Sequence, residues 1–195
     1  SVSPAVPPML FYRGKKASIR QSGVAIVGAR RATETLEWVQ NLSRFCALND
    51  ISIVSGGALG VDSAAHEGAL EGCGLTTAYL GVAADRYYPA QNRQLFQRII
   101  ENRGAIASEH PPGVTTLRYE HAHRNRLITM QARSVVVAEA GKKSGTLSTV
   151  RWAVRLGLPV WCPPRWIGGQ RDGIEPLLES GQAQILNDPI ELFSS

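Results

Sequence analysis

The feature that most constrains this chain is a rhythm. Short apolar runs stop at small residues, and each is followed by a stretch with helical spacing. Val24-Ala25-Ile26-Val27 ends at Gly28, and Ile51-Ser52-Ile53-Val54 ends at Ser55-Gly56-Gly57. Residues 76–80, 105–108, 134–138 and 158–162 read the same way. Between them, residues 33–49 place Leu36, Val39, Leu42, Phe45, Cys46 and Leu48 at helical intervals. Residues 62–72, 92–102, 124–132 and 144–156 are also helical, and 175–178 and 189–193 read as small terminal helices. Thr33 or Thr35 is the expected cap of the first helix, and Asp62 that of the second. Runs apolar on both faces belong to strands covered by helices on both sides, and strands alternating with helices pair in parallel. The expected fold is α/β: a Rossmann-like, doubly wound, mostly parallel sheet with helices on both faces. It forms a single domain over residues 23–195, with 1–22 as a lead-in.

Composition narrows the class of protein. At 44% hydrophobic residues the chain carries enough apolar surface to build a core, which excludes a disordered chain. No apolar run approaches the roughly 20 residues of a membrane span. Residues 1–8 lack the basic-then-apolar order of a signal peptide. Three scattered cysteines show no metal or redox spacing. Cys46 and Cys73, both in helical patterns, read as buried free thiols, which fits a reducing cytoplasm. The net charge of +5 favours a polyanionic partner, and all but four of the 21 cations are arginine. Arginine suits phosphate forks and base stacking.

In a doubly wound sheet, ligands bind beyond the carboxyl ends of the strands. The loops there carry Gly28-Ala29-Arg30-Arg31, then residues 55–62, 81–89 and 108–113, and finally Glu139-Ala140-Gly141-Lys142-Lys143-Ser144-Gly145-Thr146. Glycines let backbone N–H groups approach an anion, and helix N-termini add donors and a favourable dipole. Arg30, Lys142 and Lys143 bring charge. Ser55, Ser144 and Thr146 bring hydroxyls, and Gly56, Gly57 and Gly145 bring accessible backbone. Neither GxGxxG nor GxxxxGK[ST] is present, which argues against a dinucleotide cofactor or an NTPase.

Further candidates flank these loops. Arg124-Asn125-Arg126 opens a helix and is placed for phosphate contact, although one of these arginines can instead brace the loops through Glu109 or Glu139. Arg118, in a long loop spanning 109–123, and Arg133 add charge to that segment. Asn92 and Arg93 start the helix after the third strand. Among aromatics, Tyr87 is the preferred stacking candidate, Tyr119 a lesser one, and Phe96 has core spacing. His66 reads as a packing residue. His110, His121 and His123 match no metal spacing, and no nucleophile elbow occurs.

Six strings in order resemble the DprA/Smf family of DNA-processing proteins: VAIVGAR at 24–30, SGGALGVDSAAHEGAL at 55–70, YPAQNRQLF at 88–96, SEHPPG at 108–113, RNRLI at 124–128 and EAGKKSGTLSTVRWA at 139–153. LFYRG at 10–14 resembles the family's lead-in to the first strand. The resemblance implies an extended Rossmann fold that binds single-stranded DNA without catalysis or cofactor. It also implies homodimerisation and loading of the RecA recombinase onto incoming DNA during natural transformation. On that likeness Arg30, the Ser55-Gly56-Gly57 loop and residues 142–146 line the DNA groove, with the helix near Asn92 adding polar residues. The helical N-terminal and winged-helix C-terminal domains of many members are not among these residues, so their roles are not carried over. Leu59 stands where the family usually has a basic residue. The competing expectation is a nucleotide-binding protein or nucleoside-monophosphate phosphoribohydrolase on the same fold. Leu147-Ser148-Thr149 stands where such a hydrolase would carry its catalytic glutamate.

Overall fold

The structure is a computed structural model and describes residues 6–116 and 120–193. Its strands are β1 (Phe11–Gly14), β2 (Gly23–Val27), β3 (Ser52–Ser55), β4 (Thr76–Tyr79), β5 (Ala105–Ser108), β6 (Ala132–Val137), β7 (Val160–Cys162) and β8 (Gln184–Ile185). They form one sheet in the order β1-β5-β4-β3-β2-β6-β7-β8. Every pairing is parallel except β1 with β5. The expected doubly wound α/β fold is therefore the observed one.

The continuous apolar runs are explained by two cores, one on each face. Val24, Ile26, Ile53 and Val136 face α2 (Leu36–Leu48) and α3 (Val61–Glu71), while Ala25, Val27, Val54, Val135 and Val137 face α6 (Asn125–Gln131) and α7 (Thr146–Arg155). Helix α4 (Arg93–Glu101) buries Leu95, Phe96 and Ile99 against Ala78, Leu80 and Ile106. Burying a side chain such as Phe96 is worth about 1.5–3 kcal/mol. The small residues of α3 allow close packing: a side chain at Gly68 would meet the carbonyl of Gln40 in α2.

Several expectations need correction. Part of the segment read as lead-in belongs to the sheet, since residues 11–14 form edge strand β1 and Lys16–Arg20 form α1. Ser18 in α1 is fully buried, with its hydroxyl 2.7 Å from Thr77 Oγ1. The exposed pattern of β1 lacks the all-apolar signature of the parallel strands. Thr35 stands at the N-cap of α2, but its hydroxyl donates to Glu139 Oε2 at 3.0 Å rather than to the helix. Gly60, not Asp62, occupies the N-cap of α3. Cys73 lies past the end of α3 with φ +55° and is exposed, because the helix stops at Glu71. Cys46 and Cys162 are buried, and burial pushes each thiol up to about 12, so neither is a nucleophile at neutral pH. The long loop contains a short helix, α5 (Glu120–His123). Arg118 and Tyr119 lie outside the described residues. No helix among the described residues is long and apolar enough to cross a membrane.

From β2 the chain steps outward through β3, β4 and β5, then returns to place β6 on the other side of β2. The switch point of the sheet thus lies between the carboxyl ends of β2 and β6, where α/β sheets open a crevice.

Candidate nucleic-acid interface

A cleft of about 320 Å3 opens at that switch point. Val27, Gly28 and Arg30 form one side, Ser144, Gly145, Thr146 and Thr149 the other, and Asp62, Arg124, Asn125 and Ile128 the floor. A second hollow of about 300 Å3 continues it past Gly56, Ala58, Leu59, Tyr88, Pro89 and Gln91, sharing Arg30, Ala58, His121 and Arg124 with the first.

The floor is built around Arg124. Its guanidinium donates to the carbonyls of Gly56 and Tyr79 and, through Nε, to His121 O at 3.2 Å and Asn125 Oδ1 at 3.0 Å. One side chain thereby ties the ends of β3 and β4 to α5 and α6. Gly56 is glycine because the guanidinium occupies the space a Cβ would fill, and Gly57 sits at φ +69° against the ring of Phe96. Burial lowers Arg124 to about 10, so it stays charged at neutral pH. Burial also pushes the Asp62 carboxyl up, against the opposing pull of Arg124 and of the Ala58 N–H, which donates to Asp62 Oδ2 at 3.2 Å.

Other expected ligand contacts are likewise turned inward. The Ser55 hydroxyl, fully buried, donates to Ile26 O at 2.6 Å. The Asn92 amide lies 2.9 Å from Gly57 O and 2.8 Å from Ser63 Oγ, so it holds the second loop in shape. Asn125 donates to Ser148 Oγ at 2.6 Å. Arg126 forms a two-pronged ion pair with Glu109, the loop brace anticipated for one arginine of this segment.

The rim differs. Arg30 is exposed and has no carboxylate partner among the described residues, yet its charge reaches Asp62, His121 and Arg124. Thr146 Oγ1 donates to Gly28 O at 3.1 Å, which fixes the start of α7 beside the Arg30 loop. Ser144 and Gly145 line the cleft at that helix N-terminus, where the dipole favours an anion, and the Ser144 hydroxyl accepts the Thr146 N–H at 3.2 Å. Lys142 and Lys143 do not line the cleft. Lys142 lies instead along a groove between α7 and α8 (Glu175–Glu179), where its N–H meets Asp172 Oδ2 at 3.3 Å.

The aromatic reading also shifts by one residue. Tyr87 is half-buried, stacked on Phe96 at 5.9 Å between centroids, with Arg13 and Arg93 over its ring. Tyr88 is the exposed ring in the cleft, stacked on His121 at 5.1 Å. Burial and the nearby arginines lower His121 to about 4, so its imidazole is neutral. Tyr88, His121 and Leu59 were not singled out as ligand contacts. The adjacent Tyr87-Tyr88 pair was the available signal, and it could not say which ring packs inward.

Residues 2–195 match the family described as DNA recombination-mediator protein A. The chain belongs to that family. The relative called protein Smf from Synechocystis is 37% identical over 95% of this chain and 48% of its own length. DNA processing protein DprA from Streptococcus pneumoniae is 37% identical over 90% of this chain and 62% of its own. The curated relatives are longer, and this chain spans between 36% and 62% of their lengths. Among solved structures, DNA processing protein A from Helicobacter pylori superposes with a TM-score of 0.88 at 32% identity. It covers all of this chain and 89% of that one. The Helicobacter protein is described as binding single-stranded DNA in a unique mode. Within this recombination-mediator family, the extended Rossmann-like sheet is thus the shared frame on which the cleft sits.

Proposed function

We propose that this chain is the single-stranded DNA-binding core of a recombination mediator, and that the strand lies in the cleft between the ends of β2, β3 and β6. The observation that carries the reading is Arg30: an exposed guanidinium without a carboxylate partner among the described residues, beside the N-terminus of α7. Phosphates meet Arg30, Ser144 and Gly145. Bases meet the opposite wall, where Leu59 and the stacked Tyr88–His121 pair offer apolar and π surface. Leu59 in the usually basic place makes this wall more base-directed and less phosphate-directed. The Helicobacter relative's binding of single-stranded DNA supports a single strand as the ligand.

In the whole protein this core works without catalysis as a homodimer in the cytoplasm. It protects incoming DNA and loads RecA during natural transformation. The hydrolase reading has little to work with here. Among the described residues Asp62 is the one carboxylate lining the cleft, and it is buried beside Arg124.

The test is an anisotropy titration with a labelled oligo-dT strand, with duplex DNA and AMP as competitors. Binding of the strand that falls with salt and resists both competitors is expected. Displacement by AMP, or release of free base from it, overturns the reading in favour of a nucleotide enzyme.

A further inference from the structure

The carboxyl edge of the sheet continues past β6 to β7, and the connection after β7 carries Trp166. At 80% exposure it is the most exposed large apolar side chain among the described residues. An indole is ordinarily covered, because it brings a large apolar area to any surface it joins.

Trp166 stands on a fixed base. It sits in a 3-10 turn, Arg165–Ile167, closed by Ile167 N–H to Pro164 O at 3.1 Å. Arg165 and Arg171 both clamp Glu175, at 2.8 and 2.9 Å, and Arg171 also donates to Pro163 O at 3.1 Å. The same connection is fastened to the segments that lead to both rims of the cleft. Gly169 N–H donates to Glu34 Oε2 at 3.1 Å, four residues beyond Arg30. Ala140 N–H donates to Gln170 O at 2.9 Å, four residues before Ser144. The turn is therefore an extension of the rim, held to the two loops that supply Arg30 and Ser144.

We propose that Trp166 is a stacking platform for an unpaired base of the strand leaving the cleft past β7. The proposal rests on the reading of the cleft as a single-strand site. Stacking on an indole is tolerant of sequence, because every base has a π-face. The carboxylates nearby do not oppose it: Glu175 is shared by two arginines, and Glu34 accepts a backbone N–H. Trp166 also stands singly, between exposed Arg165 and half-buried Ile167, with exposed Gln170 beyond. A protein-docking surface is ordinarily a contiguous exposed apolar patch.

The experiment compares the intact chain with Trp166→Ala, Trp166→Phe and Arg30→Ala on oligo-dT strands of increasing length. Loss of stacking on one base predicts about tenfold weaker binding of long strands by Trp166→Ala. Short strands confined to the cleft bind as before, and Trp166→Phe retains most of the affinity. Tryptophan fluorescence is quenched by long strands in the intact chain, and less so in Trp166→Ala. Unchanged affinity of Trp166→Ala at every length, with Arg30→Ala still impaired, overturns the platform and leaves the cleft reading standing. Absence of strand binding by the intact chain overturns both. A Trp166→Ala variant that binds DNA normally but loses self-association or recombinase binding overturns the platform in favour of a protein contact.

Discussion

The floor and the rim of the cleft use the same residue types for opposite ends. Arg124 on the floor is buried, donates to two carbonyls on neighbouring strand ends and faces the charge of Asp62. Arg30 on the rim is exposed and has no such partners among the described residues. Ser55 below donates to a strand carbonyl, while Ser144 above faces the opening. Depth decides the role. A polar group removed from water must find its partner inside the protein, and one left in water stays available to a ligand. The glycines divide the same way: Gly56 makes room for a guanidinium, whereas Gly145 faces open space.

Breaking the floor has the largest expected effect. Arg124→Ala removes the group that joins β3, β4 and the α5–α6 corner, and takes away one of the two arginine charges that oppose the burial of the Asp62 carboxyl. Each buried carbonyl left without its donor costs about 1–3 kcal/mol. Urea denaturation is expected to show that loss for Arg124→Ala, with part of it recovered when Asp62→Asn is added. A small cost would mean that the floor does not hold the strand ends together.

Strand and helix positions were legible because a two-faced parallel sheet writes continuous apolar runs into the chain. The edges were not, since β1 carries an exposed pattern and β8 has two residues. At the site, loop position was legible and side-chain depth was not. VAIVGAR located Arg30 at a strand end, and no carboxylate among the described residues pairs with it. RNRLI located Arg124 as well, but only the fold shows that Gly56 and Tyr79 carbonyls enclose it. The inward turn of Asn92 and Ser55 was hidden for the same reason, because their partners come from segments distant in sequence.

Acid sharpens the picture of the floor's surroundings. His66 on α3 is fully buried, and its Nδ1 lies 2.7 Å from Thr76 Oγ1, which itself donates to Ile53 O. That arrangement puts the proton on Nδ1 and leaves Nε2 buried without a partner. Burial lowers His66 to about 3. The unfolded imidazole takes up a proton below its ordinary value near 6.5, whereas the folded one does not until far lower. Between those values the unfolded state binds more protons, so stability falls as pH falls, by about 1.4 kcal/mol per pH unit from this group. Denaturant midpoints measured between pH 7 and pH 4 test this. A His66→Gln variant, which keeps a donor toward Thr76 but takes up no proton, is expected to flatten the slope.

The rim is tested by separating charge from stacking. Tyr88→Ala removes the exposed ring of the Tyr88–His121 stack, worth about 1–3 kcal/mol of strand binding, with an unchanged salt slope. Arg30→Ala weakens binding and also lowers the slope of log K against log salt by about 0.7, the value for one phosphate contact on a single strand. Neither is expected to shift the urea midpoint, because both side chains are exposed. If Arg30→Ala left the salt slope intact, the phosphates would have to run elsewhere.

The smallest expected effect belongs to Lys142 and Lys143, which stand beside the rim in sequence but outside it in space. Lys142 lines the groove between α7 and α8, and Lys143 is exposed outside the cleft lining. Their charge reaches the strand only through solvent, where screening acts over about 8 Å at physiological salt. The double variant Lys142→Ala with Lys143→Ala is therefore expected to lose less affinity than Arg30→Ala alone, and to match the intact chain as salt rises. The comparison is made in one titration series at several salt concentrations. A double variant as impaired as Arg30→Ala would carry the DNA path over the outer face of α7, and the boundary of the rim would have to be redrawn around that helix.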